Sequence, residues 1–395
     1  MVDTEEPGAE TQSLVTTRRG FTGKAALVAL TAPFALLGAC QRPVGERGPV
    51  AAPGSAHPDG AAQLADDLRQ VGVSSFGGVA LVARKGTVLL RQGYGLANME
   101  LDVPQTPAMK FRIASLSKQF TALAIVQLQQ RGLLQVQNSV CTYLPNCPSA
   151  WQPITLHHLL SHESGLPQDP TDADTAAAQI EFWSVTQWLD HIKQQALEFA
   201  PGTRFSYSNL GYSVLAAVVE RSGGQPYDDF VRTSIFTPLG MHDTGPDRSG
   251  MAPYPLMKQR ASGYVRVAGA WQNTGYLDLK STQTGYGSLV STVDDLLRWN
   301  QSLDTQHLVA SSQLEQMFTP NLGGYGYGWF IDDTPGHRVQ FHGGNEPGFD
   351  SYSARYPDEQ ATVIVLSNTE QVLSSGESAA DALADQLAAR LLAKK

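Results

Sequence analysis

The sequence predicts an α/β protein of the α+β kind. One antiparallel sheet is assembled from the two ends of the folded chain and flanked by terminal helices, with a mainly helical domain inserted between its halves. Three observations predict it. Runs rich in β-branched and aromatic residues lie at 78–95 and again at 324–368. Between them apolar residues recur at helical spacing. Amphipathic stretches at 59–71 and 378–392 bracket the whole.

Taken in order, Asp59 to Val71 places Ala61, Leu64, Ala65 and Leu68 on one helical face. Gly78–Arg84 and Thr87–Gly95 read as strands joined by a Lys85-Gly86 hairpin turn. A loop with Pro104 and Pro107 leads to a helix beginning near Ser115, free of Gly and Pro until Gly132. Ile154–Leu160 is a second helical stretch, residues 171–200 are polar with a helical pattern, and Leu210–Arg221 is an apolar helix stopped by Gly223-Gly224. Ser291–Asn300 opens with a capping residue and runs as a helix. Past Met317 the period changes, and 324–331, 339–342, 350–356 and 361–368 read as a meander with a turn at Asp358-Glu359. Ser378–Leu392 closes the chain as a helix.

A chain of 395 residues with 42 % apolar content can build a substantial core. The formal charge of -9, with no basic run beyond the first few dozen positions, excludes a nucleic-acid partner. Residues 1–39 are expected to stand outside the fold: Arg18-Arg19 and Phe21 precede an apolar run, Ala25–Ala39, too short to span a bilayer and patterned as a twin-arginine export signal. Leu37-Gly-Ala-Cys40 resembles a bacterial lipobox, which implies cleavage before Cys40, a lipid on its thiol and attachment of the exported chain to a membrane of the cell envelope. Residues 40–58, rich in Pro, Gly and Ala, read as a flexible tether, and 59–395 as the folded domain. Its sheet region is expected at 59–120 and 285–395, its helical region at about 121–284. Cys141 and Cys147 flank a segment that can turn back on itself, which outside the cytoplasm fits a disulfide.

The chemistry-bearing stretch is Ser115-Leu-Ser-Lys118. On a helix, residues three apart share a face, so hydroxyl and amine can meet. A serine hydroxyl is a weak nucleophile until a base takes its proton, and a lysine in a dry cleft has its pKa lowered toward that task. Alone this spacing is commonly a helix cap beside a solvated lysine, so it needs partners. Phe205-Ser-Tyr-Ser-Asn209 supplies a phenol, Tyr207, as proton carrier and an amide, Asn209, to orient Lys118 and a substrate carbonyl. His342-Gly-Gly-Asn345 lies at a strand end, where Gly343 and Gly344 leave room for a substrate along the strand edge, and the Asn345 N–H with that of Ser115 suits an oxyanion hole. Glu346 and Asp350 beside it are expected to be solvated. His157, His158, His162 and Glu163 lack a zinc-site spacing, so no metal is expected. Gly323–Gly328 lacks the Lys-Ser/Thr ending of a phosphate loop.

Ser115-Leu-Ser-Lys118, Tyr207-Ser-Asn209 and His342-Gly343-Gly344 resemble, in order, the three motifs of the class C β-lactamase-like serine hydrolases, which include β-lactamases, D-alanyl-D-alanine carboxypeptidases, D-aminopeptidases and esterases. Residues 93–100, 154–167 and 287–295 are similar to family segments too. The resemblance implies a β-lactamase/transpeptidase-like fold and an acyl-enzyme on Ser115. Tyr207 and Lys118 would share the proton-transfer roles, and it leaves open which of them takes the serine proton. No metal or organic cofactor is implied, and the expected partner is a small-molecule or peptidoglycan-derived substrate met by a monomer. The alternative is a penicillin- or peptidoglycan-binding module with little turnover. One departure stands out: class C β-lactamases usually place a lysine where this chain has His342, whose ordinary pKa of about 6.5 leaves it mostly neutral at pH 7 and a poorer anchor for an anion.

Overall fold

A computed structural model of the chain describes residues 76–393 apart from 170–182, 248–255, 275–283, 335, 372 and 374–377, together with Asp66 and Arg69. The chain divides into two units, Met1–Ser55 and Ala56–Lys395. The expected signal segment, Cys40 and the tether lie outside the described residues, as does all but Asp66 and Arg69 of the first expected helix. No helix among the described residues is long and apolar enough to cross a membrane.

In chain order the main elements begin with β1 (Gly78–Arg84), β2 (Thr87–Tyr94) and β3 (Phe111–Arg112). Four helices follow: α1 (Ser117–Gln130), α2 (Leu156–Leu160), α3 (Val185–Ile192) and α4 (Asn209–Gly223). Next come β4 (Gly245–Pro246), β5 (Tyr264–Val267), β6 (Ala270–Asn273), β7 (Leu289–Ser291) and α5 (Val293–Ser302). The chain closes with β8 (Phe330–Thr334), β9 (His337–Glu346), β10 (Phe349–Tyr356), β11 (Ala361–Ser367) and α6 (Ala379–Ala393).

The main sheet has six strands in the order β8-β9-β10-β11-β1-β2. Its halves meet where β1 pairs antiparallel with β11, from Gly78 opposite Ser367 to Arg84 opposite Ala361. Both strands are nearly continuous apolar runs because both faces of the sheet are covered. α6 packs Leu383, Leu387 and Leu391 on one face against Val82, Val363 and Val365. α5 lies on the other, opened by the Thr292 hydroxyl, which accepts the Asp295 N–H at 3.2 Å.

The helical region is organised by α1, whose residues 117–128 are all buried. A helix buried on every side runs through the core rather than along its surface. Two of its glutamines are anchored through one end of the amide each: Gln119 Oε1 accepts the Trp299 Nε1–H at 2.8 Å, and Gln127 donates to the Ser234 carbonyl at 3.0 Å. Phe120, fully buried, packs against Trp299 and Phe236 with ring centroids 4.7 and 5.2 Å apart. α4 crosses beside α1 and ends at Gly224, whose φ of +68° supplies the left-handed cap that a side chain would resist.

The structure departs from the sequence reading in places. The expected strand at 324–331 begins only at Phe330, because Tyr325, Tyr327 and Trp329 are turned into the core. The strand at 339–342 extends from His337 to Glu346. The hairpin β5–β6 was not anticipated. Of the helical pattern at 171–200, residues 170–182 lie outside the described set and α3 covers Val185–Ile192. Cys141 and Cys147 form a disulfide with Cα atoms 5.3 Å apart.

Because Phe120 ties α1 to α5, Phe120→Ala is expected to destabilise the domain by about 3–5 kcal/mol, read as a lower urea midpoint.

Candidate active site

Ser115 does not lie in the helix proper. β3 leads through Ile113 to Ala114, whose φ of +43° is unusual for a residue with a side chain, and Ala114–Leu116 form a 3₁₀ turn before α1 starts at Ser117. The turn leaves Ser115 half-buried at the head of a helix whose Lys118 is 0 % exposed. Lys118 Nζ is 3.0 Å from Ser115 Oγ, 2.8 Å from Asn209 Oδ1 and 3.4 Å from the Tyr286 carbonyl. The rings of Tyr207, Tyr286 and Tyr212 stand 4.7, 5.2 and 5.7 Å from the amine. The Ser115 hydroxyl is near enough to the Tyr207 phenol to draw its pKa down against burial. Thus the first two motifs converge: Ser115, Lys118, Tyr207 and Asn209 form one contact group. α4 positions the last two, since Ser208 caps it by accepting the Gly211 N–H at 3.0 Å and Asn209 is its first residue.

Burial sets the protonation of this group. It pushes the Lys118 amine well below its ordinary 10.5, against the opposing pull of Asp169. It also pushes the Tyr207 phenol well up, with the Ser115 hydroxyl opposing. Burial thus favours the uncharged form of both groups. A neutral amine has two N–H donors and one lone pair, which matches two carbonyl-type acceptors and one hydroxyl.

The third motif lies on β9. β8 pairs only with residues 337–341, so from His342 onward that side of β9 has no strand partner among the described residues. The opposite side pairs with β10, Gly344 facing Ser351 and Asn345 facing Asp350. Asn345 is exposed on this open run. Gly343 has room, but Gly344 does not: a Cβ there would stand 2.9 Å from Ser115 N, 2.6 Å from the Ile113 carbonyl and 2.5 Å from Ser351 Oγ. The expectation that both glycines make room for substrate therefore needs correcting; Gly344 is small so that β9 can abut the Ser115 turn. Ser351 Oγ bridges the two, 2.9 Å from the Ile113 carbonyl and 3.1 Å from that of Gly344.

His342 also differs from its expected place as a substrate-binding residue. Its ring is 2 % exposed, Nδ1 faces the Gly343 carbonyl and Nε2 is 3.0 Å from the Tyr325 hydroxyl. Burial, with Lys118 adding to it, pushes this imidazole down to about 3. It is a neutral residue of the site's floor, and both its nitrogens are engaged. Glu346 and Asp350, expected in solvent, are 7 % and 5 % exposed. Glu346 Oε1 lies 3.5 Å from Arg112 Nε, and burial pushes the Asp350 carboxyl up to about 7. Two residues near Ser115 were given no role beside it from sequence. Asp169, exposed, accepts from Asn209 Nδ2 at 2.9 Å. His162, fully buried, lies against Tyr207. The other histidines considered for metal are engaged separately, His157 Nδ1 with the Tyr327 hydroxyl at 2.8 Å and His158 Nδ1 with the Thr155 N–H at 3.3 Å.

A sequence profile of the beta-lactamase family matches residues 62–388. The chain belongs to the beta-lactamase family. Within it, the chain is 32 % identical over 323 residues to penicillin-binding protein 4* of Bacillus subtilis strain 168, covering 75 % of this chain and 69 % of that one. The solved penicillin binding protein from Bacillus halodurans superposes with a TM-score of 0.69 at 26 % identity, over 83 % of this chain and 99 % of that one. D-amino acid amidase from Ochrobactrum anthropi SV3 shares the fold, with a TM-score of 0.71 at 23 % identity, over 85 % and 99 % of the two chains. Beta-lactamase-family membership carries serine-hydrolase or penicillin-binding chemistry in general.

Gly344→Ala should push β9 off the Ser115 turn. A displacement of about 1 Å costs on the order of a hundredfold in rate, measured as the second-order rate of Ser115 labelling by a fluorophosphonate. Wild-type labelling would show that the close approach is immaterial.

Proposed function

We propose that this chain is a cell-envelope serine hydrolase that cleaves ester or amide bonds through an acyl-enzyme on Ser115. One observation carries the reading: a fully buried amine, held 3.0 Å from a half-buried serine hydroxyl that a half-buried phenol adjoins. Oγ of Ser115 attacks the carbonyl carbon while its proton passes to the neutral Lys118 amine. The backbone N–H groups of Ser115 and Asn345 stabilise the oxyanion. On collapse, the bond to the leaving group breaks and Tyr207 donates a proton to it. Lys118 then returns its extra proton to Tyr207. Water repeats the sequence on the ester to Ser115 and frees the acid.

The charge at the mouth supports a narrower substrate class. His342 is neutral and enclosed, whereas Asp169 offers an exposed carboxylate beside Asn209. That balance favours acyl groups carrying a free amine, such as D-amino-acid amides, esters and peptides, over carboxylate-bearing β-lactams. Lipidation of Cys40 and export complete the reading; labelled palmitate should enter the chain and be lost in Cys40→Ala.

Ser115→Ala is expected to abolish both fluorescent-penicillin labelling and turnover of a nitrophenyl ester; either surviving would refute the assignment. Labelling that persists without turnover would favour a penicillin-binding module instead. On a panel of nitrocefin, D-alanyl-D-alanine peptides, D-amino-acid amides and nitrophenyl esters, amine-bearing substrates should lead. Asp169→Asn should raise their KM about tenfold, the loss of one charge-assisted contact worth ~1.5 kcal/mol, and leave N-acetylated analogues unchanged.

Acylation needs Lys118 as a free amine, and burial lowers its pKa. The single-turnover rate should therefore rise with pH and reach its plateau well below 10.5, falling on the acid side as the amine is protonated. Lys118→Arg, always charged, should be inactive throughout that range. An unchanged profile in Lys118→Arg would exclude Lys118 as the base.

A further inference from the structure

His162 follows α2 with a φ of +60°, in the left-handed region. This turns two acceptors of one residue toward the same segment. Its carbonyl accepts the Ser206 N–H at 2.8 Å, and its ring Nδ1 accepts the Ser208 N–H at 3.0 Å. Both amides that flank Tyr207 thus end on His162. The ring itself lies against that of Tyr207, with centroids 4.2 Å apart and planes at 36°, and Tyr325 stands 4.5 Å away. Because Nδ1 accepts, the ring proton is assigned to Nε2, which is buried without a hydrogen-bond partner. A residue needed only to cap the Ser208 amide has no use for an aromatic ring or for an unsatisfied donor. Asparagine enters the left-handed region readily and carries a comparable acceptor.

We propose that His162 is a positioning residue for Tyr207: its two acceptors fix the backbone on either side of the phenol, and its ring fixes the tilt of the phenol, keeping the hydroxyl on Ser115. Its burial, followed by the nearby Lys118 and His342, keeps the ring neutral, so it adds no charge behind the nucleophile. The proposal rests on the reading that Tyr207 protonates the leaving group.

The test compares His162→Asn, Tyr207→Phe and the double variant on two substrates with one acyl group, a p-nitrophenyl ester and the matching amide. Nitrophenolate leaves without a proton; an amine does not. Tyr207→Phe should lose amide acylation, read as kcat/KM, by on the order of a hundredfold and lose ester acylation far less, deacylation being common to both. His162→Asn should show the same skew in kcat/KM, with a melting temperature close to that of the parent. The double variant should be no worse than Tyr207→Phe. If Tyr207→Phe shows no skew, the leaving-group role of Tyr207 falls and the proposal with it. If it does and His162→Asn lowers both substrates equally, or the two effects multiply, His162 is structural and the proposal alone is overturned. His162→Gln repeats the comparison should His162→Asn not fold, and failure of both to fold equally marks the residue as structural.

Discussion

The active site depends on keeping one amine out of water. Ionised lysine is among the costliest side chains to enclose, and enclosure is relieved when the amine gives up its proton. Here Lys118 has no exposed surface and sits among three tyrosine rings, with Asn209 Oδ1 and the Tyr286 carbonyl as acceptors. The architecture around it serves that enclosure. α1 is buried on every side because it carries Lys118 into the core, and α4 closes over it with Tyr212 and Asn209. Burial therefore connects the helices of the sequence to an amine whose neutral form the core favours.

The second constraint is closeness between β9 and the Ser115 turn. The strained Ala114, the side-chain-free Gly344 and the Ser351 hydroxyl bring two backbones together that are more than two hundred residues apart in the chain. Such backbone–backbone contact admits no side chain and tolerates little shift, because neither side has a rotamer to adjust. The open run of β9 beyond β8 is then set directly beside Ser115.

Much of this was legible in the sequence, for physical reasons. β1 and β11 stand out because strands covered on both faces are continuous apolar runs, and α1 stands out because nothing interrupts its helical pattern. Ser115, Lys118, Tyr207 and Asn209 were marked by residue type and order. The extent of β9 was not, because Gly343 and Gly344 favour no strand, yet they pair in register with Tyr352 and Ser351. Residues 324–329 misled in the other direction, since aromatic–glycine alternation imitates a strand while Tyr325 and Tyr327 fill the core. His162, Asp169 and Ser351 carry no local pattern at all; their partners are distant in sequence, and only the fold brings them together. The enclosure of His342 likewise depends on Tyr325 and Phe330 from another segment.

The pairing of β1 with β11 has a temporal consequence. Residues 78–84 must wait, during synthesis, for residues 361–367 before the centre of the sheet can close. The Ser115 turn, leaning on β9 and β10, waits with them. A nascent chain emerging from the ribosome thus holds Ser115, Lys118 and Tyr207 long before they meet, and their cluster forms in a single late step rather than growing with length.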